Sequence, residues 1–119
     1  WEELLSSLLQ KTAERFPGLK YEMQIDHSYK NMRYYLDAEP RAIEFALEAV
    51  KRSGMTPNLA SIRGGTDGSR LSELGLPTPN LFAGGRNFHS VNEWVPLAAM
   101  EKSVQVLIEL AKLWGEARI

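Results

Sequence analysis

Residues 59–90 read LASIRGGTDGSRLSELGLPTPNLFAGGRNFHS, and the predicted fold class follows from this stretch. It contains two apolar segments, 59–62 and 80–83, that have the length of short strands. The second is predicted to be buried on both faces. Between them, residues 66–75 have the capping residue and the terminal glycine of a helix. A strand, a helix and another strand in this order predict an α/β layer with parallel pairing.

Helical periodicity extends this layer on both sides. On the C-terminal side, a long helix is predicted from Pro96 to about residue 117, with an apolar stripe of Leu97, Met100, Val104, Leu107, Ala111 and Trp114. On the N-terminal side, Pro40 suits the first turn of a helix that Gly54 ends. The apolar stripe of that helix consists of Ile43, Ala46, Leu47 and Val50.

Residues 1–28 form a separate unit in the predicted organisation. Apolar residues at helical spacing predict an amphipathic helix over residues 1–15, which a Pro-Gly pair ends. Alternating apolar and polar residues over 20–28 predict a strand with one buried face. Residues 29–38 show no period and are predicted to be a connection.

The composition of the 119 residues excludes several classes of protein. With a net charge of -1, the chain has no general electrostatic attraction for nucleic acid or for an anionic membrane. It has no apolar run long enough to cross a bilayer, and Glu2 and Glu3 occupy positions where a signal peptide would be basic. The absence of Cys excludes disulfides and favours a reducing compartment, so a cytoplasmic protein is expected. Trp1 at the start indicates a processed chain or a piece of a longer one.

The first segment suited to chemistry is Arg63, Gly64, Gly65 and Thr66, which lies between a predicted strand and a predicted helix. Glycines let the backbone approach a ligand, and free N–H groups at a helix start favour an anion. The same residues suit an ordinary turn in which Thr66 or Asp67 caps the helix. Taken alone, they favour the ordinary turn.

His89 belongs to a second segment, which follows the predicted strand 80–83. Ligands bind at this edge of open α/β sheets, so His89 is a candidate for metal binding or proton transfer. A metal site needs several converging ligands, however, and a single His is more commonly a surface residue. The third segment contains Asn31 and Arg33, which would either bind a substrate carboxylate or be solvated. By themselves these residues make an incomplete site.

Together, the three segments resemble the C-terminal part of the peptidase T family. These are the tripeptide aminopeptidases of the di-zinc family that also contains succinyl-diaminopimelate desuccinylase and carboxypeptidase G. The resemblance covers essentially the whole chain. The residues that carry it are Asp26, Ser28-Tyr29, Asn31-Met32-Arg33, Ile62 to Gly68, Leu71-Ser72, Gly75-Leu76-Pro77, Pro79 to Phe82, Gly84-Gly85, Asn87, His89 and Glu93-Trp94.

The resemblance implies a fold and a domain organisation. Members of the family have a catalytic α/β domain into which a smaller lid domain is inserted, and the lid often dimerises. Residues 1–34 would be the last helix and strand of the lid. Residues 35–119 would be the closing part of the catalytic domain.

The resemblance also implies site residues. His89 would bind one of two zinc ions, Arg33 and Asn31 would reach the carboxylate end of the substrate, and residues 63–66 would line the pocket near that carboxylate. The expected function is a zinc aminopeptidase that releases the N-terminal residue of tripeptides by metal-assisted hydrolysis. The other family ligands have no match in this chain, which is therefore expected to be inactive alone and to bind no zinc tightly.

Two other functions remain open at this point. One is a small α/β module that binds an anion through the glycine-rich segment without catalysis. The other is a carboxypeptidase or deacylase of the same family. The expected partners are a tripeptide substrate and a second copy of the chain, bound through the lid segment; neither nucleic acid nor a membrane is expected.

Overall fold

The computed structural model describes residues 1–117, and its regular secondary structure within that range is helical. The helices are α1 (Glu2–Arg15), α2 (Arg33–Leu36), α3 (Arg41–Arg52), α4 (Asp67–Glu73) and α5 (Leu97–Glu116). Four of them, α1, α3, α4 and α5, confirm the predicted helices apart from a few residues at their ends. The fifth, α2, lies in the segment that was predicted to be an irregular connection.

Helices α3 and α4 end with the same kind of C-terminal glycine cap. Gly54 has a φ of +76°, and the amide of the residue after it donates to the carbonyl of Val50 at 3.2 Å. Gly75 has a φ of +95°, and the amide after it donates to the carbonyl of Leu71 at 2.9 Å. Glycine adopts this left-handed conformation without the steric cost of a Cβ, which is why both predicted helix ends are confirmed.

The hydrophobic core lies between α3 and α5. Ala49, Val106 and Leu113 are the buried residues at its centre. Half-buried apolar side chains surround them, namely Phe45, Val50, Met55, Leu81 and Leu110. Phe45 also contacts Trp114 edge to face, with ring centroids 4.9 Å apart. The buried positions of α3 are all alanines, and these small side chains let α5 approach closely.

The face of α5 that packs on α3 differs from the predicted one. Val106 and Leu113 are buried, whereas the residues of the predicted stripe are all exposed, namely Leu97, Met100, Val104, Leu107, Ala111 and Trp114. In α3, similarly, Ile43 and Leu47 are only half-buried. Helix α5 is apolar on two faces, and α3 covers one of them. None of the helices within residues 1–117 has both the length and the apolar character needed to cross a membrane.

The three predicted strands do not form within the described part of the chain. Segments 20–28, 59–62 and 80–83 have no ladder partner there, and a single antiparallel bridge joins Arg86 to Trp94. Apolar side chains of these segments are exposed, including Phe82, so the predicted burial of 80–83 on both faces is also wrong. A strand must exchange hydrogen bonds with a neighbouring strand, and residues 1–117 place none beside these segments. The described residues therefore do not show the α/β class.

Helix α1 contributes nothing to the core. It has no buried residue, and Leu4, Leu5 and Leu8 are exposed. The radius of gyration is 20.6 Å, compared with about 13.5 Å for a compact chain of this length. The chain is therefore elongated. The division between residues 34 and 35 remains a prediction.

Glu39 and Arg41 form an ion pair where α3 begins. One carboxylate oxygen of Glu39 accepts hydrogen bonds from Nε of Arg41 at 2.7 Å and from its backbone N–H at 3.2 Å, and the other oxygen accepts one from Nη2. Arg41 also lies over the ring of Trp114, with its Cζ 5.5 Å from the centroid. The side-chain hydrogen bonds from Arg41 lower the pKa of Glu39 below its ordinary value. The pair therefore links the start of α3 to the end of α5.

Replacing Val106 by Ala should destabilise the fold, because Val106 is almost fully buried between α3 and α5. Removing buried methyl groups from a packed core should lower the free energy of unfolding by about 2 kcal/mol, measured by urea denaturation. Val104 is the matched control, because it is the same residue type on an exposed face of the same helix. Val104→Ala should change the free energy by less than about 0.5 kcal/mol. Equal losses in the two variants would contradict the assignment of the buried face.

Replacing Arg41 by Gln should raise the pKa of Glu39 toward its ordinary range, because the donor that favours the carboxylate is removed. A carboxyl whose pKa is lowered by folding stabilises the protein above its unfolded pKa, and this contribution is lost as the pH falls through the lowered value. Carbon-13 NMR titration of the Glu39 carboxyl measures the change. Arg52→Gln, which removes a different ion pair on α3, should leave the Glu39 titration as it is. An unchanged pKa of Glu39 in Arg41→Gln would disprove the assigned cause.

Candidate functional site

His89 lies in a closed loop, residues 86–94, which we call the His loop. Arg86 and Trp94 close it with two backbone hydrogen bonds of 2.8 and 3.2 Å. Within the loop, Asn87 and His89 have φ values of +54° and +64°. Asn and His adopt this left-handed conformation more readily than most residues with a Cβ, but it still costs free energy that glycine would not lose. The loop thus holds His89 in a backbone conformation that a His would not choose by itself.

The imidazole of His89 makes no hydrogen bond or ion pair with another side chain within residues 1–117. The backbone N–H of His89 donates to a carboxylate oxygen of Glu93 at 3.1 Å, and the side chain is exposed. An exposed imidazole can bind a metal ion or transfer a proton. Within residues 1–117, however, no three His, Cys, Asp or Glu side chains are grouped so that they could hold a metal ion. The described neighbours of His89 therefore do not complete a metal site, and metal binding by His89 stays a prediction.

A groove of about 500 Å³ separates the His loop from α5. Its lining is mostly apolar and includes Phe88 and Trp94 from the loop and Met100 and Val104 from the helix. The segment just before the loop contacts α5 beside this groove. Gly84 lies so close to Ala99 that a Cβ on Gly84 would overlap the Ala99 side chain. Helix α5 therefore positions the His loop.

The segment from Arg63 to Gly68, which we call the glycine loop, leads into α4. Gly64 has a φ of +88°, which favours glycine. Thr66 occupies the N-cap position as predicted, but its side chain makes no capping hydrogen bond. Its Oγ1 is buried and has no hydrogen-bond partner within the described residues. The hydroxyl of Thr66 is thus unpaired among these residues, whereas Arg63 at the start of the loop is exposed.

Asn31 and Arg33 lie at the start of α2. The Asn31 side-chain oxygen accepts a hydrogen bond from the backbone N–H of Arg33 at 2.9 Å, so it helps to begin the helix that the sequence did not predict. Both side chains are exposed. Helix α2 packs on α4, and Tyr35 donates a hydrogen bond of 3.4 Å to Glu73. The structure therefore places Asn31 and Arg33 close to the element that the glycine loop begins.

Two of the three predicted segments are brought together. The ring of Tyr29 lies against Gly65, and the methyl end of Met32 lies near Gly68. Sequence reasoning missed both contacts, although the glycines were a signal that another group could approach the backbone closely. The His loop packs instead on α5.

Comparison with known proteins assigns the chain to a family. Residues 8–113 match the family described as Peptidase family M20/M25/M40. The chain belongs to this family. All three candidate segments lie inside the matched range.

Several relatives within this peptidase family are Peptidase T proteins, which confirms the resemblance found from the sequence. The Peptidase T of Caldanaerobacter subterraneus subsp. tengcongensis is 40% identical over 115 residues, which cover 97% of this chain and 28% of the relative. The Peptidase T of Aeromonas hydrophila is 46% identical over 97 residues, which cover 82% of this chain and 24% of the relative. That of Shewanella sediminis is 48% identical over 95 residues, which cover 80% of this chain and 23% of the relative. The chain thus spans about a quarter of the length of these relatives.

Replacing His89 by Gly should give a more stable protein than replacing it by Ala. Ala keeps the Cβ that the φ of +64° disfavours, whereas Gly removes it, so the two free energies of unfolding should differ by about 1 kcal/mol. His27 is the control position, because it does not have a positive φ. There, Gly should be no better than Ala. A His89→Gly variant that is less stable than His89→Ala would show that the loop does not hold this conformation in solution.

Proposed function

We propose that the chain is the C-terminal part of a zinc-dependent aminopeptidase that releases the N-terminal residue of tripeptides. The observation that carries this proposal is the 40% identity to a Peptidase T over 97% of the chain. The three candidate segments lie within the range that the family covers, residues 8–113. The activity belongs to the longer protein, of which this chain would supply a part of the site.

In this proposal, residues 1–34 are the end of a lid domain and residues 35–119 are the closing part of a catalytic α/β domain. The exposed apolar side chains of Leu59, Ile62 and Phe82 support the second assignment. Strands in the middle of a parallel sheet are apolar on both faces and are covered by helices. The exposed stripe of α5 is a surface that such a sheet would bury.

His89 would supply one zinc ligand. Its free imidazole and the strained loop that presents it support this role. Catalytic zinc usually has three protein ligands, and the described residues offer no such group, so they do not form a zinc site by themselves. The other ligands would come from outside this chain. We therefore expect the chain alone to be inactive.

Arg33, Asn31 and residues 63–66 would bind the carboxylate end of the peptide. A guanidinium and a side-chain amide suit a carboxylate, and both Arg33 and Arg63 are exposed. The Oγ1 of Thr66, which is buried and has no partner within residues 1–117, would offer a further donor. The packing of α2 on α4 supports a shared site for these residues, since it brings their segments together.

The proposed partners are a tripeptide and a second copy of the protein, with no nucleic acid or membrane among them. The exposed apolar face of α1 supports association through residues 1–34. The cytoplasm is the proposed location, because a chain without Cys needs no oxidising compartment.

The His89→Ala variant of the full-length protein should lose tripeptide hydrolysis by at least about 100-fold, because a ligand to the metal is removed. His27→Ala is the matched control. His27 is the other His of the chain and lies in the exposed segment near Glu2, so its loss should leave kcat/KM unchanged. Tripeptides with free and with blocked amino ends should be compared, since an aminopeptidase needs the free amine. Cleavage of blocked peptides would favour a carboxypeptidase or deacylase instead, and an active His89→Ala variant would remove His89 from the site.

Zinc titration of the chain alone, by calorimetry, complements this assay. A single imidazole leaves most of the hydration shell on the ion, so binding should be as weak as that of a free His side chain. Tight binding of one zinc per chain would show that the chain contains a metal site other than the proposed one.

A further inference from the structure

We infer that Tyr29 is a positioning residue, which docks against Gly65 in the turn before α4 and so fixes the segment that carries Asn31 and Arg33. The inference rests on the proposed function, because it assigns this contact a role in binding the carboxylate end of a peptide.

The two adjacent glycines of the loop differ in what a side chain would meet. Gly64 has a positive φ and open space around its Cα, so it is needed for its backbone conformation. Gly65 does not have a positive φ, but a Cβ on it would overlap the ring of Tyr29, which is itself exposed. A side chain at position 65 would therefore push the ring of Tyr29 aside.

Met32 adds an ordinary contact one helical turn further on. Gly68 is buried in α4, where a Cβ would lie 2.6 Å from the carbonyl oxygen of Thr78 and 3.2 Å from Oδ1 of Asn80, so these two atoms are what a side chain at position 68 would meet. The terminal methyl of Met32 lies 3.5 Å from the same point, which is ordinary van der Waals distance. The contact of Tyr29 with Gly65 therefore carries the inference.

The docked segment carries the proposed binding residues. Asn31 lies two residues after Tyr29, and Arg33 follows at the start of α2. The backbone between them is held by the hydrogen bond from the Arg33 N–H to the Asn31 side chain. Docking therefore places Arg33 relative to the glycine loop through contacts that leave its own side chain exposed. A small misplacement of such a group is costly in binding and catalysis.

The test is a double-mutant cycle in the full-length protein, with tripeptide hydrolysis as the readout. Gly65→Ala displaces the ring and Tyr29→Ala removes it, so each should raise KM by about tenfold with little change in kcat. The double variant should be no worse than either single variant, because Ala at 65 has nothing to displace once the ring is absent. Tyr29→Phe keeps the ring and should behave as wild type. A Tyr29→Ala variant with the KM of the wild type would overturn the inference. So would a double variant in which the KM increases of the two single variants multiply.

Gly64→Ala is the matched control for the cycle. Its cost comes from the φ of +88° and not from the ring, so its effect should multiply with that of Tyr29→Ala. A tripeptide with an amidated C terminus gives a second control. It lacks the carboxylate, and therefore Tyr29→Ala and wild type should hydrolyse it with equal KM. An equal rise in KM for the amide and for the free peptide would show that Tyr29 acts on general stability, and would overturn the inference.

A failure of the proposed function is distinguishable from a failure of the docking. Wild-type protein that hydrolyses no tripeptide would reject the proposed function. The same cycle is then read from the midpoint of thermal unfolding. If Gly65→Ala lowers this midpoint in the wild-type background but not in the Tyr29→Ala background, the docking of Tyr29 on Gly65 is supported. An equal change of the midpoint in the two backgrounds would overturn the inference.

Discussion

The packing of α3 on α5 holds the described part of the chain together. Alanines on α3 bring the two helices close, and Val106 and Leu113 fill the space between them. Helix α5 then supports the segment before the His loop, because Ser103 donates a hydrogen bond of 3.1 Å to the carbonyl of Phe82 and Ala99 contacts Gly84. The position of His89 therefore depends on a core to which His89 itself contributes nothing.

Segments 20–28, 59–62 and 80–83 have strand-like sequences but form no sheet within residues 1–117. Their alternating or apolar patterns are those of strands, but backbone groups of a strand must pair with a neighbour. Within residues 1–117 the neighbours are missing, and the apolar side chains remain exposed. This agrees with a chain that spans about a quarter of the length of its relatives in the peptidase family M20/M25/M40.

The candidate site consists of two parts that are built differently. The glycine loop and the segment from Tyr29 to Arg33 are joined by packing, in which the absent side chain of Gly65 leaves room for the ring of Tyr29. The His loop is instead closed by its own backbone bridge and carries strain at His89. Strain of this kind persists where the surrounding structure imposes it, and it is concentrated at functional positions.

Helix positions and helix ends are local properties, and the sequence alone was sufficient for them: apolar spacing marked α1, α3, α4 and α5, and Gly54 and Gly75 marked two of the ends. The motifs of the glycine loop and the His loop were also sufficient to recognise the family. Tertiary structure decided which face of α5 is buried, because that helix is apolar on two faces and periodicity cannot choose between them. It also decided that 20–28, 59–62 and 80–83 stay unpaired, and that Tyr29 meets Gly65, since each of these depends on residues distant in sequence.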